Sequence, residues 1–398
     1  MMNYFKRILK LPKGYIQPFP GEKDRIVVAM SSGVDSSVTA ALCRKIFPRS
    51  EVEGIFMANW TSDSNCTDSD WNDVKKTCSH IGIPCRRVDF EKEYWTEVFE
   101  PMLEQYRIGK TPNPDVGCNR YVKFGKMIEH LTNTLGEQQP WWLVTGHYAR
   151  VLEDITSREK HLLRSDYLPK DQSYYLSRVK DSSLERMFLP IGHFSKPEIR
   201  NLAKKWKLPT SSKPDSQGLC FVSQKEGHFK KFLDEFLPPE PGDIITIDEN
   251  GFKHKWGSHQ GLWHATIGQR SGVSMPQGDR NYKGAWFVSE KRPKTNEIVI
   301  VKGSNNPALY KDTVETSNWL WLGPFNADNL KNISINELIV QYRSLQDPIG
   351  LLNWKFFSQS INNQRMTFRL KQKYRAISPG QIAVLYHRDR VLGCGMIT

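Results

Sequence analysis

The clearest hydrophobic pattern in the chain is a short apolar run that ends abruptly in small polar residues. Residues 26–30 read Ile-Val-Val-Ala-Met, which predicts a buried strand, and residues 37–43 read as the start of a helix. The turn between them, residues 31–36, is Ser-Ser-Gly-Val-Asp-Ser. Because the N–H groups and the dipole of a helix N-terminus favour an anion, this strand-turn-helix predicts a phosphate site.

The following 180 residues alternate between apolar stretches and helical patterns. Short strands are predicted at 53–57 and 85–90, a helix at 71–81, and residues 142–150 contain a strand that runs into a turn at Gly146. Strands that alternate with helices predict an α/β domain with a doubly wound parallel sheet. Ligands of such sheets bind beyond the carboxyl ends of the strands.

A later helix follows Ser195, because Ser195 and Glu198 have the spacing of a capping box. Its apolar positions recur with helical spacing and predict one face packed on the sheet: Ile199, Leu202, Ala203 and Trp206.

The C-terminal part changes to a period of two. Residues 230–310 predict a small β-rich module that grips the RNA backbone, and the alternative is a purely structural spacer. Strands from about 311 onwards predict a closed β-barrel. Within 365–375 one face is mostly apolar and the other is cationic, with Arg365, Arg369, Lys371, Lys373 and Arg375. This cationic row predicts an RNA-facing surface, and the alternative is a face that serves only solubility.

The length of the chain limits the number of domains, and its net charge limits the class of partner. The chain has 398 residues, enough for two or three domains, and a net charge of +13. Such a surplus favours nucleic acid as a partner, although a merely basic surface is the alternative. No apolar run approaches the roughly 18 residues of a membrane span, so we expect no membrane partner.

Residues 1–21 contain four basic residues and no acidic one. Apolar pairs at 4–5 and 8–9 fit a basic amphipathic helix, which predicts a mitochondrial presequence and a matrix location. A single Arg, no Ser and Pro12 weaken that pattern, and a cytoplasmic location is the alternative.

The seven cysteines are scattered and odd in number, which argues against structural disulfides. Cys66, Cys78, His80 and Cys85 lack the paired spacing of a zinc site, so we expect no metal held by the protein. Cys118 and Cys220 each lie in a polar loop rich in Pro and Gly. One such thiol would be read as inert, but two beside a predicted nucleotide site favour redox or nucleophilic chemistry.

These motifs resemble a known family. The turn at 31–36 is similar to the Ser-Gly-Gly-x-Asp-Ser loop of the PP-loop ATP pyrophosphatases, except that Ser32 replaces the first Gly. A positive φ at that position would strain Ser32. Further motifs then follow in order at 113–119, 146–150, 170–174, 213–220 and 267–272. Together they resemble the tRNA-specific 2-thiouridylases over most of the chain.

The resemblance implies three domains and a set of site residues. The domains are a PP-loop ATP-binding domain at 22–229, a central tRNA-binding domain at 230–310 and a C-terminal β-barrel at 311–398. ATP, with Mg²⁺, would be bound by Ala29, Met30, Ser31, Ser32, Gly33, Val34, Asp35, Ser36, Met57 and Gly146. The target base would contact Asn113, Pro114 and Asp115, and Asp115 is also placed to move protons.

In that family the C2 oxygen of the wobble uridine of tRNA is adenylated and then replaced by sulfur. By its pattern Cys220 would carry the persulfide, delivered by a sulfur-donor or relay protein, and Cys118 would be its partner in a disulfide. Further tRNA contacts would be Lys170, Asp171, Gln172, Gln341, Tyr342 and Arg343; Gln341 stands where the family has Arg, so Arg343 is the alternative contact.

The expected oligomeric state is a monomer. Two other functions stay open at this point. One is a PP-loop enzyme that adenylates a small carboxylate or amide, which explains the loop but neither the paired cysteines nor the basic barrel. The other is a non-catalytic RNA-binding protein, against which Asp35 and the two cysteines argue.

Overall fold

The computed structural model describes residues 11–60, 64–136, 139–215, 228–276, 278–360 and 363–398. Residues 1–10 of the predicted presequence lie outside them, and residues 11–21 are described. Within the described residues no helix is long and apolar enough to cross a membrane.

The N-terminal domain is built on a parallel sheet of five strands. In spatial order these are β4 (Cys85–Asp89), β3 (Glu51–Ala58), β2 (Arg25–Met30), β5 (Trp141–Val144) and β8 (Met187–Phe188). Alternate residues of β2 pack into two separate clusters, with Val27 in one and Ile26 and Val28 in the other. Both faces are therefore covered, and the predicted doubly wound parallel sheet is confirmed.

Helices connect and cover these strands. Their bounds are α1 Val34–Ile46, α2 Ser64–Ile81, α3 Glu91–Tyr94, α4 Glu100–Arg107, α5 Pro114–Gly117, α6 Met127–Leu135, α7 Ser173–Leu176, α8 Asp181–Leu184, α9 Lys196–Lys205 and α10 His228–Asp234. Wider π turns occupy Trp95–Phe99 and Cys118–Lys126, and short 3₁₀ turns occupy Leu168–Lys170 and Pro190–His193.

Two predicted helices begin earlier than expected. Helix α1 starts at Val34, directly after the small-residue turn, and α2 extends seven residues N-terminal to the predicted start at 71. The strand that runs into Gly146 ends at Val144, and a new strand begins at Ala149. Helix α9 has the predicted cap, because the Glu198 carboxylate accepts from the Ser195 N–H at 2.8 Å. Ile199 and Ala203 are buried as expected.

The remaining strands form a central sheet and a barrel. The central sheet has the order β10 (Lys253–His259), β9 (Gly242–Ile247), β12 (Glu297–Lys302) and β11 (Trp286–Arg292). The barrel strands are β13 (Tyr310–Trp321), β14 (Leu338–Gln341), β15 (Ile349–Ser358), β16 (Gln364–Arg375), β17 (Ile382–His387) and β18 (Arg390–Ile397). Because β18 pairs with both β13 and β17, this barrel is closed. Short helical segments lie at Leu262–His264, Pro307–Leu309, Ile335–Glu337 and α11 (Ala327–Lys331).

An antiparallel hairpin ties the N-terminal domain to the barrel. Strands β6 (Ala149–Asp154) and β7 (Lys160–Arg164) pair with each other, β6 with β1 (Tyr15–Ile16), and β7 with β18. The Arg150 side chain, 3% exposed, lies 2.5 Å from Asp166 and 3.2 Å from Asp389 of the barrel. Its Nε donates to the Arg164 carbonyl at 2.7 Å.

We expect Arg150→Met to destabilise the protein by about 2 kcal/mol, because it removes several charge-assisted hydrogen bonds from a buried site. Both carboxylates are partly exposed and regain water, so the loss stays below that of a fully buried broken pair. The free energy of urea unfolding measures it. The exposed pair of Arg49 with Glu22 gives the control, since Arg49→Met should cost under about 1 kcal/mol. Equal effects of the two substitutions would contradict this role of Arg150.

Candidate functional site

The turn between β2 and α1 is folded by its own hydroxyl groups. The Ser36 hydroxyl accepts from the Ser31 N–H at 3.2 Å and donates to the Gly33 carbonyl at 3.1 Å. Gly33 is the N-cap of α1, and no side chain among the described residues caps it. The first N–H groups of α1 are thus left for a ligand, which suits an anion at the positive end of the helix.

Ser32 adopts the backbone conformation that its departure from the family pattern predicts to be strained. Its φ is 55°, in the left-handed region that glycine adopts more readily. The Ser32 hydroxyl donates to the Asp70 carboxylate at 2.6 Å. This hydrogen bond, which a glycine could not make, compensates part of the cost.

Gly146 abuts this turn. A Cβ at Gly146 would lie 2.9 Å from the Asp35 carbonyl carbon and 2.9 Å from the Ser36 nitrogen, too close for any side chain. Two residues later, the Tyr148 hydroxyl donates to the Asp35 carboxylate at 3.0 Å. The loop 145–148 therefore forms a second wall of the site, and Met57, half-buried, lies near the end of the neighbouring strand β3.

Lys196 is a site residue that the sequence reasoning missed. Its Nζ lies 2.8 Å from each Asp35 oxygen and 3.0 Å from Asp215, and its side chain is 11% exposed. Lys196 is the first residue of α9, where the helix dipole disfavours a cation. A lysine at that unfavourable position of a predicted capping box was a signal that could have identified it.

Asp215 is held by three cations. Lys170 donates to it at 2.8 Å, and Lys196 and Arg200 also bind it. Burial alone would raise the pKa of Asp215, but these hydrogen bonds hold its pKa well below the ordinary value. Asp35, Lys196 and Asp215 thus form a continuous series of ion pairs from the turn at 31–36 to the segment that precedes Cys220.

The residues predicted to contact tRNA at 170–172 are largely engaged with the protein. Lys170 pairs with Asp215 but keeps 41% of its side chain exposed. Asp171 is buried and accepts from Arg164 at 3.1 Å and from the Ser165 N–H at 2.9 Å. The Gln172 side-chain oxygen accepts from the Tyr148 N–H at 2.9 Å. Asp171 and Gln172 shape the loop here, and Lys170 retains an open face for a phosphate.

The Asn113–Cys118 segment forms a short helical turn. Asn113 is the N-cap of α5, Pro114 its first residue, and Cys118, buried, begins the π turn that follows. Burial raises the pKa of Asp115, while the charge of Lys123 opposes that rise. An acid with a raised pKa exchanges its proton more readily near neutral pH.

The π turn that begins at Cys118 packs against the loop 145–148. The Phe124 ring lies 5.6 Å from the His147 ring, next to Gly146. Burial, and secondarily the charge of Lys123, hold the pKa of His147 well below its ordinary value, so this imidazole is neutral. Cys118 is therefore carried by an element that packs on the second wall of the nucleotide site. Cys220 lies outside the described residues.

The three tRNA contacts predicted in the barrel differ in how far their side chains are buried. Gln341 is 3% exposed and its side-chain oxygen accepts from the Tyr386 hydroxyl at 3.0 Å. Tyr342 is 4% exposed and donates to the Arg375 carbonyl at 3.2 Å. Arg343 is exposed, with its guanidinium over the Tyr342 ring. Among these three residues only Arg343 presents its side chain to solvent.

Strand β16 shows the expected alternation, with Met366, Phe368 and Leu370 buried. Its cations do not all face solvent freely. Arg369 pairs with Asp312 at 2.9 Å, and Arg375 donates to the Gly268 carbonyl at 2.6 Å. The expectation of a uniform cationic row is corrected accordingly, and Arg365, Lys371 and Lys373 are its exposed members without a described ion pair.

Comparison with known proteins agrees with this architecture. Three family profiles match in order: the tRNA methyl transferase HUP domain at 24–224, the tRNA methyl transferase PRC-barrel domain at 230–302 and the aminomethyltransferase beta-barrel domain at 311–397. The predicted fold class, with a central β-rich module and a C-terminal barrel, is confirmed.

Curated relatives match over nearly the whole chain. The mitochondrial tRNA-specific 2-thiouridylase 1 of Saccharomyces cerevisiae is 50% identical, covering 96% of this chain and 93% of its own. The protein of the same name from Schizosaccharomyces pombe is 35% identical, with 98% and 96% covered. The tRNA-specific 2-thiouridylase MnmA of Limosilactobacillus reuteri is 38% identical, with 94% and 95% covered. The chain belongs to the family of tRNA-specific 2-thiouridylases.

Proposed function

We propose that this protein transfers sulfur to C2 of the wobble uridine of tRNA in an ATP-dependent reaction that forms 2-thiouridine. The observation that carries the proposal is the common wall at residues 145–148. Gly146 and Tyr148 contact the ATP turn, and His147 contacts the helix that begins at Cys118. A site for activating the substrate and a site for the thiol thus share one loop.

In the first half-reaction ATP activates the uracil oxygen. The free N–H groups of α1 bind phosphate oxygens, and Gly146 leaves room for the turn. The C2 oxygen attacks the α-phosphorus, the bond to the β-phosphate oxygen breaks, and pyrophosphate leaves. The base then carries AMP on O2, which turns a poor leaving group into a good one. Mg²⁺, when bound with ATP, would supply charge that neutralises the phosphates. Asp35 would hold the ion once Lys196, which binds both Asp35 oxygens in the protein alone, turns to the phosphates.

In the second half-reaction sulfur replaces that oxygen. The terminal sulfur of a persulfide on Cys220 attacks C2 and expels AMP. The Cys118 thiolate then attacks the Cys220 sulfur, which breaks the sulfur–sulfur bond, releases the thiocarbonyl and leaves a Cys118–Cys220 disulfide. A cellular thiol must reduce this disulfide before the next turnover. Asp115, with its raised pKa, is the group that moves protons beside the base.

Binding of tRNA is assigned to the target-base residues 113–115 and to exposed cations on two domains. Lys170 and Arg343 present charge to solvent, and so do Lys371 and Lys373 on the barrel. Such contacts position the RNA backbone without reading sequence. We further propose a mitochondrial location, supported by the names of two fungal relatives, a separate sulfur-donor protein and a monomeric state.

The function is tested by mass spectrometry of tRNA nucleosides from cells that lack the protein. We expect 2-thiouridine derivatives to disappear and to return when the gene is restored. With purified protein and tRNA, ATP should yield AMP and pyrophosphate. Unchanged 2-thiouridine would refute the proposal, and adenylation of a small carboxylate without tRNA would favour the other PP-loop activity.

Substitution of either proposed catalytic cysteine should abolish thiolation and leave tRNA binding intact. Cys118→Ser and Cys220→Ser remove the nucleophilic sulfur, although pyrophosphate release should persist because activation precedes sulfur transfer. The control is Cys394→Ala, which removes a buried barrel thiol and should retain activity. Full thiolation by Cys220→Ala would overturn the persulfide assignment.

Lys196 is proposed to bind the β- and γ-phosphates of ATP once they approach Asp35. Lys196→Met should therefore weaken ATP binding by about tenfold or more, as expected for a lost charge-assisted contact, and leave AMP binding nearly unchanged. Calorimetric titration of the full chain with both nucleotides measures this difference.

Lys160→Met is a matched control, since Lys160 is similarly buried, pairs with Glu185 and contacts Trp142 at the opposite end of the sheet. It should affect neither nucleotide. If Lys196→Met weakens ATP and AMP equally, the lysine only holds the turn in place.

A further inference from the structure

A cavity of about 160 Å³ lies between the N-terminal domain and the barrel. Asn113 and Pro114 line one side, and Gly380 and Ile382 of the barrel line another. Asp115 and Cys118 are not among its lining residues, so the cavity lies beside the reacting centre and does not contain it. A group bound in this cavity would lie next to the nucleotide that reacts.

Two arginines line this cavity without a counter-charge. Arg120 donates from Nη1 to the Arg178 carbonyl at 2.6 Å, so the two residues are adjacent. The Nε atoms of Arg120 and Arg178 are buried and lack a hydrogen-bond partner among the described residues. No carboxylate of the described chain lies within ion-pair distance of either guanidinium, and Glu97, which also lines the cavity, is exposed.

Such an arrangement is unfavourable in the protein alone. Both arginine side chains are partly exposed, but their buried Nε–H groups lack an acceptor, and an unsatisfied buried donor costs free energy. An anion bound in the cavity would supply acceptors for these donors and a counter-charge for both side chains.

A third unsatisfied group indicates that the ligand is more than a simple anion. The Gln105 side-chain oxygen is buried without a partner, and Gln105 lines the same cavity. It can only accept a hydrogen bond, so its partner must carry an N–H or O–H group. Nucleotides combine an anionic group with such donors, on the ribose hydroxyl and on the base.

We propose that this cavity binds part of the substrate tRNA next to the target base, with an anionic group held between Arg120 and Arg178. The anion is a backbone phosphate or an acidic substituent on the base, since both present oxygens that a guanidinium recognises. This inference rests on the proposed function and adds a subsite to it. Apolar lining from Met102 and Ile382 would surround the rest of the nucleotide.

The test compares Arg178→Gln and Arg178→Lys with the unchanged full-length protein. The Arg178 guanidinium makes no described hydrogen bond or ion pair, so its replacement removes no bond that holds the fold. We expect Arg178→Gln to weaken tRNA binding by about tenfold or more and to leave ATP binding unchanged. Arg178→Lys should recover part of the affinity, because it restores charge without the planar fork.

Two tRNA samples distinguish the source of the anion. An unmodified transcript offers only phosphates, whereas tRNA from cells lacking this protein also carries the other base modifications. Weaker binding of both identifies a phosphate, and weaker binding of the cellular tRNA alone identifies an acidic substituent.

Arg49→Gln removes the same charge from a remote exposed position and is the matched control. The cavity proposal fails if Arg178→Gln binds both samples like the unchanged protein, or if Arg49→Gln weakens binding equally. In either case the unchanged protein still thiolates tRNA, and the proposed function stands. If the unchanged protein does not bind tRNA, both the cavity proposal and the proposed function are wrong.

Discussion

The arrangement of the site depends on the ionic chain that runs from Asp35 through Lys196 to Asp215. Each member belongs to a different part of the sequence: the first turn of α1, the start of α9 and the end of the described segment before Cys220. Lys196 at a helix N-terminus is unfavourable by itself, and the two carboxylates offset that cost. These ion pairs therefore hold three segments that are distant in sequence at one edge of the parallel sheet.

Two backbone segments also approach each other closely at that edge. Gly146 touches the turn at Asp35 and Ser36, and nothing larger than glycine fits there. Contact at this point brings Tyr148 to Asp35 and sets His147 against Phe124. The turn at 31–36 and the helix of Cys118 thus pack against the same loop, residues 145–148.

Sequence patterns predicted the scaffold well, because strand and helix periods follow directly from which faces are buried. They also placed the small-residue turn at 31–36 between a strand and a helix and anticipated the positive φ of Ser32. Long-range pairing was beyond them. Nothing local at Asp35 shows that Lys196 and Tyr148 donate to it, and the alternation of β16 could not show that Arg375 turns back to Gly268. Such partners depend on tertiary packing, which single-sequence patterns do not encode.

The contact between Arg375 and Gly268 bears on how the protein would recognise the shape of an RNA. Gly268 has a φ of 86°, and a Cβ there would lie 2.5 Å from the Ala376 Cβ, so the central module is seated directly against the barrel. Arg375 also donates to the Ser304 carbonyl and lies over the Phe287 ring. The distance between the two domains is thus fixed by a junction within the protein. The central module and the barrel therefore keep a fixed spacing. Substitutions at their junction would change which RNA shapes fit against both domains, more than the electrostatic attraction between the protein and RNA.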